Sequence, residues 1–198
     1  MKHCLMTLLA CAFAVATTAA DAQQKPMRIR GTIVEVSGDV LKLKSRDGKE
    51  LQLRLTDKTA VAAARAIKLA DLKKGDYVGA TTLKNPDGVL VAQEVHRIPR
   101  TVKEGHGPWD LMPNSMMTNA NVATVTKAAD GEELVLEYSG GSQKILVQPG
   151  TPVVETTPAD RSFLKPGEYV FVAAQSGGDG KITALRIQVS HGGVKPPQ

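Results

Sequence analysis

The residues best suited to chemistry in this sequence cluster in one short stretch. Residues 104–120 read EGHGPWDLMPNSMMTNA and hold the only tryptophan of the chain and three of its six methionines. With a histidine just upstream, the stretch offers imidazole nitrogens and thioether sulfurs, the soft ligands left for copper when no thiolate is present. The candidate metal ligands are His96, His106, Met112, Met116 and Met117.

An apolar role for the same residues is the competing hypothesis. Met112 precedes Pro113 and is held in extended backbone, so the methionines do not line one helical face. Methionine fills irregular apolar gaps, and tryptophan is enriched at binding hot spots. The stretch then predicts a junction or a binding surface rather than a metal centre. The residues expected to contact a ligand or partner there are His106, Trp109, Asp110 and Asn119.

Catalysis is not predicted, and no catalytic residue is assigned. The sequence has no nucleophile elbow, no phosphate-cradling glycine loop and no zinc-protease motif. Outside the first twenty residues only three histidines remain, His96, His106 and His191, and none has a serine context that indicates an activated nucleophile. Nucleic-acid binding is not expected either, because single-strand binding relies on exposed aromatic rings and the chain is only 4% aromatic.

The first 22 residues predict export. Lys2 and His3 precede an apolar run, and Ala20-Asp21-Ala22 gives the A-x-A cleavage site of a secretory signal peptide. Lipidation at Cys11 is the minor alternative. Both cysteines lie in this segment, so the mature chain has no disulfide or thiolate metal site. The expected location is periplasmic or secreted, and no segment reaches the length of a membrane-spanning helix.

Charge is uneven along the mature sequence. Residues 23–97 hold 15 Lys and Arg against 9 Asp and Glu, a balance of +6, whereas residues 119–198 hold 7 against 8, a balance of −1. The basic residues of the first half alternate with apolar ones, as on the solvated face of a sheet. An anionic partner, such as phospholipid headgroups or an acidic polysaccharide, is the alternative interpretation.

An internal repeat indicates which elements position the candidate residues. Residues 72–78 (LKKGDYV) recur as residues 164–170 (LKPGEYV), and the Asp-Gly pair at 87–88 recurs at 179–180, both at an offset of 92. A sustained offset indicates a duplicated unit, here of roughly 70 residues. Each copy predicts three strands, then a helix or loop, then two strands. This is the strand order of an OB-like β-barrel.

The predicted fold is therefore all-β, with two tandem five-stranded OB-like barrels. The alanine-rich stretch 60–69 predicts a short helix in the first barrel, whereas Pro158 favours a loop at the same place in the second. The predicted boundaries are a signal peptide at 1–22, the first barrel at 23–98, an ordered connector at 99–118, the second barrel at 119–190 and a flexible tail at 191–198.

The pattern RGTIVEV…DGKELQLRL…LADLKKGDYV…DGVLVAQEV resembles a bacterial family of exported OB-like domains of unknown function. The whole layout, with its EGH-PWD-MTNA connector, is similar to a two-copy subgroup of periplasmic proteins, whose relatives are sometimes labelled metal transporter permeases. The resemblance implies a fold and a location but no residue roles. Because the sequence has no membrane helices, the permease label receives no support from it.

These observations favour a non-enzymatic binding or scaffolding module of the bacterial cell envelope. The expected partner is an envelope protein, a glycan or a small ligand, held in the cleft between the barrels with Trp109 as its anchor. A periplasmic copper-binding accessory protein is the alternative, and no other cofactor is expected.

Overall fold

Thirteen strands run through the computed structural model, which describes residues 27–197. Their bounds are β1 Met27–Ser37, β2 Val40–Ser45, β3 Glu50–Arg54, β4 Ala60–Ala66, β5 Tyr77–Lys84, β6 Leu90–Arg97, β7 Gly105–Pro108, β8 Met116–Ala128, β9 Gly131–Tyr138, β10 Gly141–Val147, β11 Val153–Ala159, β12 Tyr169–Ser176 and β13 Ile182–Val189. One-turn 3-10 helices lie at Leu69–Asp71 and Arg161–Phe163. The predicted all-β fold is confirmed. The predicted signal peptide and the alternative at Cys11 lie outside the described residues.

The first barrel consists of β1, β2, β3, β12 and β13. β1 pairs antiparallel with β2 on one side and with β12 on the other. β2 then pairs with β3, β12 pairs with β13, and a parallel contact between β13 and β3 closes the ring. Alternate residues of each strand point inward and fill the interior, as barrel geometry requires. The core includes Ile33, Leu41, Leu43, Leu53, Leu55, Val170, Val172, Ile187 and Val189, each at most 2% exposed.

The second barrel consists of β5, β6, β8, β9 and β10. β8 pairs antiparallel with β5 on one side and with β9 on the other. β5 then pairs with β6, β9 pairs with β10, and a parallel contact between β10 and β6 closes the ring. Its core is built in the same way from inward-facing apolar residues. They include Val78, Val95, Val122, Leu134, Leu136 and Ile145, each at most 2% exposed.

Each barrel takes three strands from one sequence copy and two from the other. The first copy contributes β1–β3 to the first barrel and β5–β6 to the second. The second copy contributes β8–β10 to the second barrel and β12–β13 to the first. The sequence segments 23–98 and 119–190 therefore each contain only part of either barrel. Equivalent strands of the two copies carry the same apolar alternation, so strands from either copy can fill a barrel core.

The helix predicted in the alanine-rich stretch is absent, and a strand takes its place. β4 pairs antiparallel with β11 and parallel with β13. Its central residues, Val61–Ala64, are only 1% to 8% exposed, because the strand lies between the two barrels. A helix there would leave the edges of β11 and β13 without hydrogen-bond partners. Pro158 also lies in a strand rather than in the predicted loop, opposite Ala62.

The β4–β11 pair lies on an approximate two-fold axis. Ala64 pairs with Thr156, and these are equivalent residues of the two copies because 156 − 64 = 92. The flanking strands follow the same rule in two equivalent contacts: Ile187 with Val61, and Val95 with Val153. The chain therefore folds like a strand-exchanged dimer whose two subunits are joined into one polypeptide.

The end of the chain packs on the first barrel rather than extending as the predicted flexible tail. His191 and Val194 exchange backbone hydrogen bonds around Gly192 and Gly193, whose φ values are 57° and 80°. Positive φ at both central residues is the type I′ turn, which glycine adopts at little cost. Beyond the turn, the proline pair at 196–197 is buried. Within residues 27–197, no helix is long and apolar enough to cross a membrane.

Candidate functional site

The connector ends in a closed loop that holds the tryptophan. β7 pairs with the start of β8, and between them Trp109 N donates to Ser115 O at 2.8 Å. The Ser115 hydroxyl lies 3.0 Å from the carbonyl oxygen of Trp109 and 2.8 Å from that of Met112. Asn114 takes a left-handed φ of 63°, which asparagine tolerates better than most residues. The loop geometry therefore fixes where Trp109 projects.

Trp109 and Asp110 contact the outer face of the first barrel through three arginines. The Arg28 guanidinium lies 4.3 Å from the Trp109 ring centroid, and Arg30 donates to Asp110 Oδ1 at 2.8 Å. Arg46 donates to the backbone carbonyl oxygen of Leu111 at 2.5 Å. Burial would raise the pKa of Asp110, but hydrogen bonds and charge from Arg30 and Arg28 outweigh it, so the pKa lies below 3.8.

A cavity of about 220 Å³ lies between the two barrels at this junction, and we call it the inter-barrel cavity. Rings and apolar side chains line it together with several polar groups. The residues that matter most are His96 and Asn119 from the second barrel, Phe171, Arg186 and Gln188 from the first barrel, and Trp109 from the connector. It gathers residues from both sequence copies and from the segment that joins them.

A glycine allows the histidine and asparagine of the cavity to meet. His96, Gly79 and Asn119 form one row across β6, β5 and β8. A Cβ atom at Gly79 would lie 2.7 Å from His96 Nε2 and 3.0 Å from Asn119 Oδ1, so a larger residue would push both side chains away. The equivalent of Gly79 in the other copy is Phe171, since 171 − 79 = 92. The first barrel therefore carries the Phe171 ring at the position where the second barrel has Gly79, which has no side chain.

Two equivalent residues in the cavity each have a buried polar atom without a hydrogen bond. His96 and Gln188 are equivalent, since 188 − 96 = 92, and among the described residues neither His96 Nδ1 nor Gln188 Oε1 has a hydrogen-bond partner. Nδ1 lies 3.4 Å from Glu94 Oε1, but this contact lacks hydrogen-bond geometry. An unsatisfied buried polar atom costs roughly 1–3 kcal/mol, so a ligand that supplied the missing hydrogen bonds would recover part of that cost.

The cavity also has a cation available for a ligand. Arg97 donates to Glu155 at 2.8 Å and to Asp76 at 3.0 Å, so its charge is already compensated. Arg186 is half-buried, and no residue between 27 and 197 forms an ion pair or hydrogen bond with its side chain. A guanidinium in this state can donate to a carbonyl or carboxylate oxygen of a ligand.

The five predicted metal ligands do not converge on one point. Met116 and Met117 are neighbours in β8, so their side chains point to opposite faces of the sheet. Met117 lines the inter-barrel cavity with His96, whereas Met116 lines a separate cavity of about 890 Å³ with His106. Met112 lines neither cavity. Within residues 27–197, no group of three or more His, Cys, Asp or Glu could hold a metal ion.

The predicted ligand-contacting residues divide in a similar way. Trp109 and Asn119 line the inter-barrel cavity, and Asp110 holds the tryptophan loop on the first barrel from outside. His106 lies apart in the second cavity, where its Nδ1 is 2.9 Å from the Thr118 hydroxyl. Burial there lowers the pKa of His106.

The set that the sequence predicts omits most residues of the inter-barrel cavity, including Phe171, Arg186 and Gln188. All three lie in ordinary alternating strands, which gave no local reason to select them. The offset of 92 carries the signal that could have found them. It pairs Gln188 with His96, and both of these residues line the cavity. It also pairs Arg186, which lines the cavity, with Glu94, which does not.

Comparison with protein families accounts for both sequence copies. Residues 30–96 and residues 122–188 each match the family model described as a domain of unknown function (DUF5666). Together the matches cover more than half of the chain. No curated protein matches it. The two matched segments are the sequence copies, so each of them contributes strands to both barrels.

Proposed function

We propose a binding function for this chain, which belongs to the DUF5666 family, a family of unknown function, and carries two copies of its domain. In this proposal the chain is an exported, non-enzymatic module of the cell envelope that receives a short segment of a partner protein in the inter-barrel cavity. Export rests on the sequence of the first 22 residues, and the two-copy periplasmic subgroup rests on the resemblance of the connector. The observation that carries the proposal is the pair of unsatisfied buried atoms in a ring-lined cavity.

The size of the cavity favours a peptide segment over the other ligand classes. Sites for drug-sized ligands usually measure about 300–1,000 Å³, and this cavity measures about 220 Å³. With Pro197 in place as part of the lining, one or two residues of an extended peptide fit such a volume, whereas a sugar chain or a large cofactor does not. Trp109 and Phe171 offer ring surface to an apolar side chain, as aromatic hot spots do at protein interfaces.

The chemistry of the lining supports binding rather than catalysis. Among the described residues, no serine, cysteine or carboxylate lines the cavity. Thr156 supplies a hydroxyl to the lining, but among the described residues no hydrogen bond joins it to His96, and no pair of acids lines the cavity for general acid–base work. The polar groups present, Arg186, Gln188 and Asn119, are suited to hydrogen bonds with a peptide backbone.

Site-specific photo-crosslinking in the producing cells tests the proposal. A photoreactive amino acid replaces Phe171, which is half-buried and lines the cavity. We expect a discrete adduct with an envelope protein, and mass spectrometry should map it to one short segment of that partner. Arg186→Glu in the same background should weaken the adduct, because it reverses the available charge.

A matched control places the same photoreactive group at Val34, a residue of β1 that is 50% exposed. This position lies on the same barrel but does not line the cavity. Equal adducts from both positions would indicate non-specific contact, and no adduct from position 171 would contradict the proposed function. Fractionation of the cells used for crosslinking tests the predicted location at the same time.

A further inference from the structure

The last residues of the chain are directed back towards the inter-barrel cavity. Ser190 N donates to Tyr169 O at 2.8 Å, which ends the pairing of β13 with β12. The Gly192-Gly193 turn then reverses the chain, and the Lys195 ammonium lies 5.3 Å from the centroid of the Tyr169 ring. These contacts set the path of the two residues that follow.

Those two residues, Pro196 and Pro197, are buried, and Pro197 lines the inter-barrel cavity together with Trp109 and Phe171. A proline pair favours the extended polyproline II conformation without internal hydrogen bonds, so it loses little entropy when it docks. Proline-rich segments in this conformation typically bind in grooves lined by aromatic rings. The tail therefore places a proline against Trp109 and Phe171, the aromatic rings of the cavity.

The tail leaves part of the cavity unsatisfied. With Pro197 in place, His96 Nδ1 and Gln188 Oε1 still have no hydrogen-bond partner among the described residues, and Arg186 has no counter-charge within residues 27–197. Proline has no backbone N–H, so it cannot donate to Gln188. A segment that combines prolines with a donor and an acidic or carbonyl oxygen would use groups that the tail does not reach.

We propose that Pro196 and Pro197 are an internal ligand of the inter-barrel cavity, and that the external ligand is a proline-containing extended segment of a partner protein, which displaces them. This rests on the proposed function, whose site it uses. The tail competes through its high local concentration, because a short tether holds it at an effective concentration on the order of millimolar. A partner binds when its additional hydrogen bonds outweigh that advantage.

Purified protein and synthetic peptides test this. The probe is a dye-labelled peptide with the sequence VKPPQ, that of residues 194–198, and a second probe reads VKSSQ. Binding is measured by fluorescence anisotropy and by the emission of Trp109, the only tryptophan of the chain. The protein variants are the double substitution Pro196→Ser with Pro197→Ser, and a chain that ends at Val194. Pro166→Ser, at an exposed proline outside the cavity, is the matched control.

We expect both tail variants to bind the VKPPQ probe roughly tenfold more tightly than the full chain and the control variant do, because the internal competitor is gone. The Trp109 emission should shift to longer wavelength in the tail variants and return when the probe is added. The VKSSQ probe should not bind.

Equal affinity of the full chain and the tail variants for VKPPQ would overturn the proposal, as would no binding to any of them. If these results occur while the crosslink at position 171 persists, the tail inference fails and the proposed function stands. Loss of the crosslink as well would remove both.

Discussion

Cutting the chain between its two sequence copies is expected to leave both barrels assembled. A protease site inserted after Thr101, an exposed turn residue, would divide the described chain into residues 27–101 and 102–197. β1 would still pair with β12, and β5 with β8, across the cut. The two fragments should therefore hold each other through hydrogen bonds and shared cores rather than separate as two domains.

The size of this effect follows from the exchanged core residues. The first barrel takes Val170, Val172, Ile187 and Val189 from the second fragment, and each is 0% exposed. Burying a side chain of this size contributes about 1.5–3 kcal/mol, so the four together contribute roughly 6–12 kcal/mol. This is comparable to the whole stability of a typical domain, about 5–15 kcal/mol. Neither fragment is expected to fold as a monomer.

Size-exclusion chromatography of the cleaved protein in native buffer provides the assay. One peak should elute where the uncleaved protein elutes, contain both fragments on a denaturing gel, and keep the far-UV circular dichroism of the intact chain. Urea above the unfolding midpoint should separate the fragments, and mixing them after its removal should restore the single peak. Two folded fragments that elute separately in native buffer would refute strand exchange between the copies.

Three further changes probe the junction. Gly79→Ala should destabilise the protein by about 1–3 kcal/mol in urea unfolding, because its Cβ would lie 2.7 Å from His96 Nε2; Gly107→Ala, where a Cβ meets nothing within 4 Å, is the neutral control. Trp109→Ala should cost about 2 kcal/mol because the tryptophan is only half-buried, and should lower Tm by roughly 4–8 °C; an unchanged Tm would argue against its docking role. The pKa of Asp110 is lowered on folding, so its stabilising contribution is present above its ordinary value of 3.8 and is lost as pH falls through the lower folded pKa. Asp110→Asn should remove that acid-dependent loss of stability, measured by Tm against pH.

The sequence predicts the ten barrel strands well and their partners poorly, and both outcomes have the same physical cause. Alternating apolar residues show which face of a strand is buried, so the barrel order follows from the repeat at an offset of 92. The alternation does not show which copy supplies the neighbouring strand, because β5 and β12 carry equivalent patterns. The exchange is accompanied by a pairing between the copies at β4, where a run of small apolar residues pairs with β11 instead of coiling into a helix.

The candidate site shows a similar division. The connector is singled out by its unusual composition, and two of its predicted contact residues, Trp109 and Asn119, line a cavity. The adjacent methionines could have been separated in advance, because neighbours in a strand face opposite ways. Arg186 and Gln188 could not be selected by composition, since their role depends on the approach of the two barrels and of the tail.

Equivalent residues of the two copies, His96 and Gln188, both line the cavity, so differences between the copies matter there. Two identical copies would place either two rings or two gaps at the positions of Gly79 and Phe171. Phenylalanine at both positions would crowd the space between the barrels. Glycine at both positions would leave neither barrel with an aromatic ring there. A symmetric site also presents the same groups in both directions and so gives an asymmetric peptide no preferred orientation. Because His96 lies in one copy where Gln188 lies in the other, and because Phe171 and Arg186 both belong to the wall of the first barrel, the joined copies define one binding direction.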